Sequence, residues 1–380
     1  MDGFADEERD DTAAMNDGYK VWRIEPNGWG QTWGQTAKAF AAAEKDLLHH
    51  PGLKEAAAQL RMGGLVAFPT ETVYGLGANA LLEDAVQGIF RAKGRPSDNP
   101  LIVHIPDVTW LRAVTPNPDA LSAATRRVME AFWPGPLTII LPAHPDLAPS
   151  VHPGLATVGI RVPNHPVAKA LIELAGCPVA APSANKSGRP SPTKASHVEE
   201  DFAGEIDGIV DAGWSVVGLE STVVRIDEEA VYILRPGAVT AKALERVSGL
   251  CVATGRNAAG APVEAPGMKY RHYAPKADVY VWWGDAAETE AAMARFLASH
   301  PDEKVAVVSR RPLEGAANAW SPSPGESYTV ALSRHLYGLL REFDHAHCHL
   351  ILIQGVPPVD EGAALMNRLE KASGGRVTRV

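Results

Sequence analysis

The chain has 380 residues, 46% of them hydrophobic and 21% charged, with a net charge of −9. At ~150 residues per domain it holds roughly two or three units; no apolar run approaches the ~20 residues that cross a bilayer, and the acidic balance argues against a surface coated for non-specific nucleic-acid binding. Cys177, Cys251 and Cys348 are scattered and form no C-x-x-C pair, so no disulfide is expected, and the acidic Met1–Asp11 segment lacks a secretory pattern, which predicts a cytoplasmic protein.

Residues 1–20 are rich in Asp and Glu and read as a disordered tail. Trp22, Trp29 and Trp33 follow, and are expected to pack as apolar surface on the main body. The pattern over 37–50 is helical. The compact core is expected to start near Pro51. Residues 53–62 predict a helix stopped by Gly63-Gly64. Residues 65–68 predict a short buried strand closed by Pro69. Apolar, β-branched runs recur at 101–104, 137–141, 157–162 and 221–226, with helical stretches between several of them. The order is not a clean βαβ repeat, so a mixed sheet is expected.

Residues 254–277 are rich in Gly, Ala and Pro and read as a linker. Strands at 278–283, 304–308 and 349–354 and helices at 286–298, 329–342 and 361–372 then predict a small Rossmann-like α/β domain. The expected division is an N-terminal extension over 1–50, a first domain over 51–250, a linker or lid over 251–277 and a second domain over 278–380.

Chemistry-bearing residues gather in a few segments. Pro69-Thr70-Glu71-Thr72-Val73-Tyr74-Gly75-Leu76-Gly77 places hydroxyls, a carboxylate and glycines at a strand exit, as a small-molecule site requires. Gly75, Gly77 and Ala80 also fit the dinucleotide fingerprint, but Pro69 and the intervening residues spoil the tight turn that motif needs. In Lys93-Gly94-Arg95-Pro96-Ser97-Asp98-Asn99, two cations on a constrained loop suit phosphate oxygens or form a solvated basic turn. Arg161 lies inside an apolar strand, where it needs an anionic partner from the protein or from a substrate. Ser183, Asn185 and Thr193 lie on a hydroxyl- and amide-rich loop, Ser221 at a strand end, and Arg235 beside a turn. No nucleophilic triad and no P-loop occur, so such a site would act by positioning and charge stabilisation. Asp344-His345-Ala346-His347-Cys348-His349 carries metal-ligand residue types, but no second ligand cluster is near in sequence and no metal site is expected.

PTETVYGLG at 69–77, KGRP at 93–96, WPGPLT at 133–138, SANKSG at 183–188 and ESTVV at 220–224 together resemble the threonylcarbamoyl-AMP synthases, with their YrdC-like fold. The likeness runs from about Pro51 to Gly249, and Pro266–Pro275 with the domain behind it looks like the longer two-domain branch. The resemblance implies a twisted mixed α/β sheet with a concave active-site face, and an enzyme that converts L-threonine, bicarbonate and ATP to threonylcarbamoyl-AMP and pyrophosphate for tRNA modification. It implies threonine contacts at Thr72, His104, Arg161, Ser183 and Ser221. It implies ATP contacts at Arg95, Asn99, Thr157, Asn185, Thr193, Arg235 and Tyr273, and catalytic charge neutralisation by Lys93 and Arg95. Mg²⁺ would be held mainly by phosphates, with no metal-ligating residues in the chain. The product would pass to a tRNA threonylcarbamoyl transferase, with room for weak RNA binding. The resemblance leaves two other readings, carbamoyl transfer in hydrogenase maturation and an RNA-binding translation or assembly factor. The first lacks its cysteine-rich fingers here, and the net charge disfavours the second. Residues 262–276 are expected to cover the nucleotide, with Tyr273 reaching the site and contributing little to stability.

Overall fold

The computed structural model describes residues 14–16, 18–25, 43–254 and 272–380. Trp29, Trp33 and most of the expected linker lie outside the described residues. Among the described residues, one sheet is built from β1 (Ala14–Asn16), β2 (Tyr19–Arg23), β3 (Val66–Phe68), β4 (Gly75–Asn79), β5 (Ile102–His104), β6 (Leu137–Pro142), β7 (Thr157–Arg161), β8 (Val179–Ala180), β9 (Gly208–Asp211), β10 (Thr222–Ile226), β11 (Ala230–Arg235) and β12 (Cys251–Thr254). Their spatial order is β1-β2-β9-β3-β4-β8-β5-β7-β6-β10-β11-β12. Parallel pairs such as β5 with β7 alternate with antiparallel ones such as β6 with β7, so the sheet is mixed.

Strand periodicity sorts the side chains onto two faces. Val66, Phe68, Val179 and Ala181 pack with α1 (Pro51–Arg61) and a helix over Pro166–Ala175. Ala67 and Ala180, from the same strands, face the opposite cluster, with α2 (Glu83–Lys93). The sheet also starts earlier than the composition suggests. β2 pairs with β9, Trp22 is buried among α1 residues, and its Nε1 donates to Glu55 Oε2 at 2.9 Å. The acidic stretch therefore ends in structure before residue 20: apolar Tyr19, Val21, Trp22 and Ile24 outweigh the charges around them.

The second sheet comprises β13 (Asp278–Trp283), β14 (Val305–Val308), β15 (Asn318–Trp320), β16 (Leu350–Gln354) and β17 (Val377–Arg379), in the order β15-β14-β16-β13-β17. All its pairs are parallel. Val305, Val307 and Leu352 pack against α3 (Ala286–Ser299), whereas Ala306, Val308, Ile351 and Ile353 pack against α4 (Tyr328–His345) and α5 (Glu361–Ala372). Helices on both faces of a parallel sheet make this a small Rossmann-like domain. Val73 and Leu219 of the first domain share the α4–α5 cluster, so the domains meet through a common apolar core.

Candidate functional site

The strand exits converge on one cavity of about 630 Å³, open mouth included. After β3, Pro69 ends the strand and Thr70 Oγ1 accepts from the backbone N–H groups of Thr72 (3.1 Å) and Val73 (3.2 Å), closing a tight turn. The chain returns as β4, where Gly75 bridges Ser183 and a β-carbon would come within 3.2 Å of Ala181. The glycines of the would-be dinucleotide fingerprint thus lie in a strand and form no phosphate turn.

Thr72, His104, Arg161, Ser183 and Ser221 all line this cavity. β5 and β7 pair in parallel with His104 beside Arg161. Arg161 Nη1 donates to Thr72 Oγ1 at 2.8 Å, and Nη2 lies 2.7 Å from Glu71 Oε1. That last contact is an ion pair without hydrogen-bond alignment: Nη2 and both Glu71 oxygens are buried with no hydrogen bond. Burial and then the Arg161 charge lower His104 to about 3, so it is neutral at pH 7. Its Nδ1 is buried and lacks a hydrogen-bond partner.

Arg95, Asn185, Arg235 and Tyr273 complete the wall, with Glu220 and His272. Gly94, at φ +60°, caps α2 in the left-handed conformation and turns the chain so that Arg95 reaches the cavity. Arg95 Nη2 donates to the Pro100 carbonyl at 2.8 Å. Arg235 Nη2 donates to Ser221 Oγ (3.1 Å) and to its carbonyl oxygen (3.0 Å), and Ser221 Oγ lies 2.8 Å from Thr138 Oγ1. Arg95, Arg161 and Arg235 thus face hydroxyl and amide groups across one space. An anionic ligand with hydrogen-bonding arms is what such a lining stabilises.

Four expected site residues lie elsewhere. Lys93 is buried in the last turn of α2, and its Nζ donates to the carbonyl of Ser183 at 2.6 Å and to that of Asn185. Burial, followed by the Arg95 charge, holds its ammonium well below the usual lysine range. It anchors the 183–185 loop from behind and stands outside the cavity lining. Thr157 begins β7 opposite Pro142, at the end away from Arg161, about 13 Å along the strand at ~3.3 Å per residue. Asn99 and Thr193 are buried outside the lining. Thr193 instead organises its own turn, its backbone N–H donating to His197 Nδ1 at 3.3 Å.

Glu220 is the residue whose importance the sequence concealed. It is buried at the cavity wall, where Ser191 Oγ donates to Oε1 at 2.6 Å and Arg368 Nε to Oε2 at 2.7 Å. Burial would raise its carboxyl, but the Arg368 and Arg235 charges and these hydrogen bonds hold it at about 2. Tyr273, at φ +66°, is buried with its ring 5.3 Å from that of Tyr337; burial and then Glu220 push its hydroxyl up to about 12. The expected cover over 262–271 lies outside the described residues.

Among the described residues, no group of three or more side chains is placed to hold a metal. His345 approaches Glu200 and His349 approaches Glu303, so the histidine-rich turn splits between separate partners. No helix among the described residues is long and apolar enough to cross a membrane.

The family described as "Telomere recombination" matches residues 58–237, and that described as "Threonylcarbamoyl-AMP synthase, C-terminal domain" matches residues 239–374. A Bacillus subtilis threonylcarbamoyl-AMP synthase is 45% identical over 334 residues, 87% of this chain and 95% of that protein. One from Pyrococcus abyssi is 43% identical, over 86% of this chain and 96% of that protein. The crystal structure titled "P. abyssi Sua5 complexed with L-threonine" superimposes with a TM-score of 0.81 at 39% identity, covering 95% of this chain and 99% of that one.

Proposed function

Since the chain belongs to the threonylcarbamoyl-AMP synthase family, we propose that it condenses L-threonine, bicarbonate and ATP to threonylcarbamoyl-AMP and pyrophosphate in the cavity between β5, β7 and the loop at 183–193. The observation that carries this reading is the meeting of Arg95, Arg161 and Arg235 with the hydroxyls of Thr72, Ser183 and Ser221 around one space. A P. abyssi relative of matching architecture has been crystallised with L-threonine.

Threonine sits beside Arg161, Thr72 and neutral His104, with its hydroxyl toward Ser183 and Ser221. The nucleotide phosphates face Arg95 and Arg235, and Tyr273 and Asn185 border the nucleotide. Threonine's amine and bicarbonate form a carbamate and release water. A carbamate oxygen then attacks the α-phosphorus, and pyrophosphate leaves with the electron pair of the broken P–O bond. The protein's part is orientation and charge: guanidinium groups stabilise negative charge as it shifts to the leaving group. Among the described residues, Glu220 is the one carboxylate on the lining, and its oxygens are taken by Ser191, Tyr337 and Arg368. Magnesium, where the reaction uses it, would be held mainly by the nucleotide phosphates, whose charge it would help to neutralise. Transfer of the threonylcarbamoyl group to tRNA falls to a separate transferase, and a cytoplasmic location goes with these substrates.

The test is pyrophosphate release by the purified protein. Release requiring both threonine and bicarbonate is expected; ATP cleavage indifferent to either one contradicts the reading.

A further inference from the structure

Beside the apolar contact at Val73, one buried polar cluster ties the second domain to the cavity wall. Arg368, on α5, is 0% exposed. Its Nε donates to Glu220 Oε2 at 2.7 Å, its Nη2 to the Glu220 carbonyl at 3.3 Å and its Nη1 to the Pro236 carbonyl at 2.9 Å. The guanidinium also lies 5.8 Å from the centre of the Tyr273 ring. Tyr337, on α4, adds its hydroxyl to the same carboxylate, 2.9 Å from Oε2 and 3.2 Å from Oε1. One side chain of the second domain therefore gathers three pieces of the wall: Glu220 next to Ser221, Pro236 next to Arg235, and Tyr273. Arg235 in turn is bonded to Ser221.

Burying a charged pair is a poor way to glue two domains. Well-packed apolar residues of similar volume usually do as well or better, because the pair loses its hydration. What the pair supplies in place of net stability is direction, since a planar guanidinium fixes its acceptors in both angle and distance. We propose that Arg368 and Tyr337 are positioning residues for the nucleotide side of the cavity: through Glu220 they hold Arg235 and Ser221 in place, so the first domain's site is complete only with the second domain docked. The inference rests on the reading of the cavity as the ATP and threonine site. It also carries a reciprocal consequence, because any nucleotide that binds better to the completed wall must strengthen the docking by the same factor.

The experiment uses the full chain with two variants. Arg368→Lys keeps the charge and loses the fork. Glu220→Gln with Arg368→Met removes both charges of the pair together, so neither partner is left without the other, and Arg235 keeps its hydrogen bonds to Ser221. Each is measured for thermal unfolding with and without ATP and for pyrophosphate release over ATP and threonine titrations. We expect Arg368→Lys to raise KM for ATP about tenfold, the factor equivalent to one lost charged hydrogen bond, and to raise KM for threonine less. The double variant is expected to unfold near the wild-type temperature yet keep the raised KM for ATP and a smaller shift on adding ATP. If its ATP kinetics return to wild type along with its stability, the cluster is only structural and the inference is overturned. The same holds if both variants keep the wild-type KM. Wild-type protein that releases no pyrophosphate would instead overturn the functional reading, and the inference with it.

Discussion

Two buried arginine–glutamate pairs flank the cavity, and they are built differently. Arg161 and Glu71 both come from the first domain, and their 2.7 Å contact leaves Nη2 and both carboxylate oxygens without a hydrogen bond. Arg368 and Glu220 come from different domains, and the Glu220 oxygens are met by Ser191, Tyr337 and Arg368. Desolvated polar atoms that lack partners cost free energy, and a site keeps them where a ligand will supply the missing bonds. A saturated pair has nothing left for a ligand and can only hold its neighbours. We propose on this difference that the first pair serves binding, through Arg161 on the cavity lining, and the second scaffolding, through Glu220 on that lining.

The sharpest way to break that comparison is to strip the first pair. Arg161→Ala leaves Glu71 buried without its counter-ion, which costs about 3–5 kcal/mol of stability. Because the pair has bonds to offer a ligand, the variant is also expected to raise the threonine requirement well beyond the ATP requirement. Urea unfolding and two-substrate kinetics measure both effects; equal loss for the two substrates would make the pair as structural as the other. Next in size is Tyr273→Ala. The linker's composition suggests a residue that reaches the nucleotide and matters little for folding, but its ring is buried against Tyr337 in the second domain's core. Truncating it is expected to cost about 3 kcal/mol, the lower end for a large buried ring, while Tyr273→Phe loses about 1 kcal/mol with its hydroxyl. Thermal unfolding at near wild-type temperature for Tyr273→Ala would return the residue to a purely ligand-facing role.

These cases also show what the sequence makes legible. Arg161 is readable because a charge in an apolar strand must have a partner, and the mixed sheet because its strands do not alternate regularly with helices. Lys93 and Arg95 are two positions apart and look alike in a string of letters. The left-handed Gly94 between them sends one back under the 183–185 loop and the other into the cavity. Thr157 and Arg161 share a strand but stand at its opposite ends. Tyr19–Arg23 hides behind acidic neighbours, because composition averages over the apolar residues that settle it in the sheet. Glu220 is invisible for a different reason: its partner Arg368 is 148 positions away, and no local pattern joins them.

The most direct measurement is a crystal structure of the full chain with L-threonine and a non-hydrolysable ATP analogue. The account predicts both ligands in the one cavity, with the threonine carboxylate against Arg161 and Thr72 and the phosphates against Arg95 and Arg235. It also predicts the Glu220–Arg368 contact unchanged, at close to 2.7 Å. Ligands bound outside this cavity, or a nucleotide that displaces Arg368 from Glu220, would contradict it.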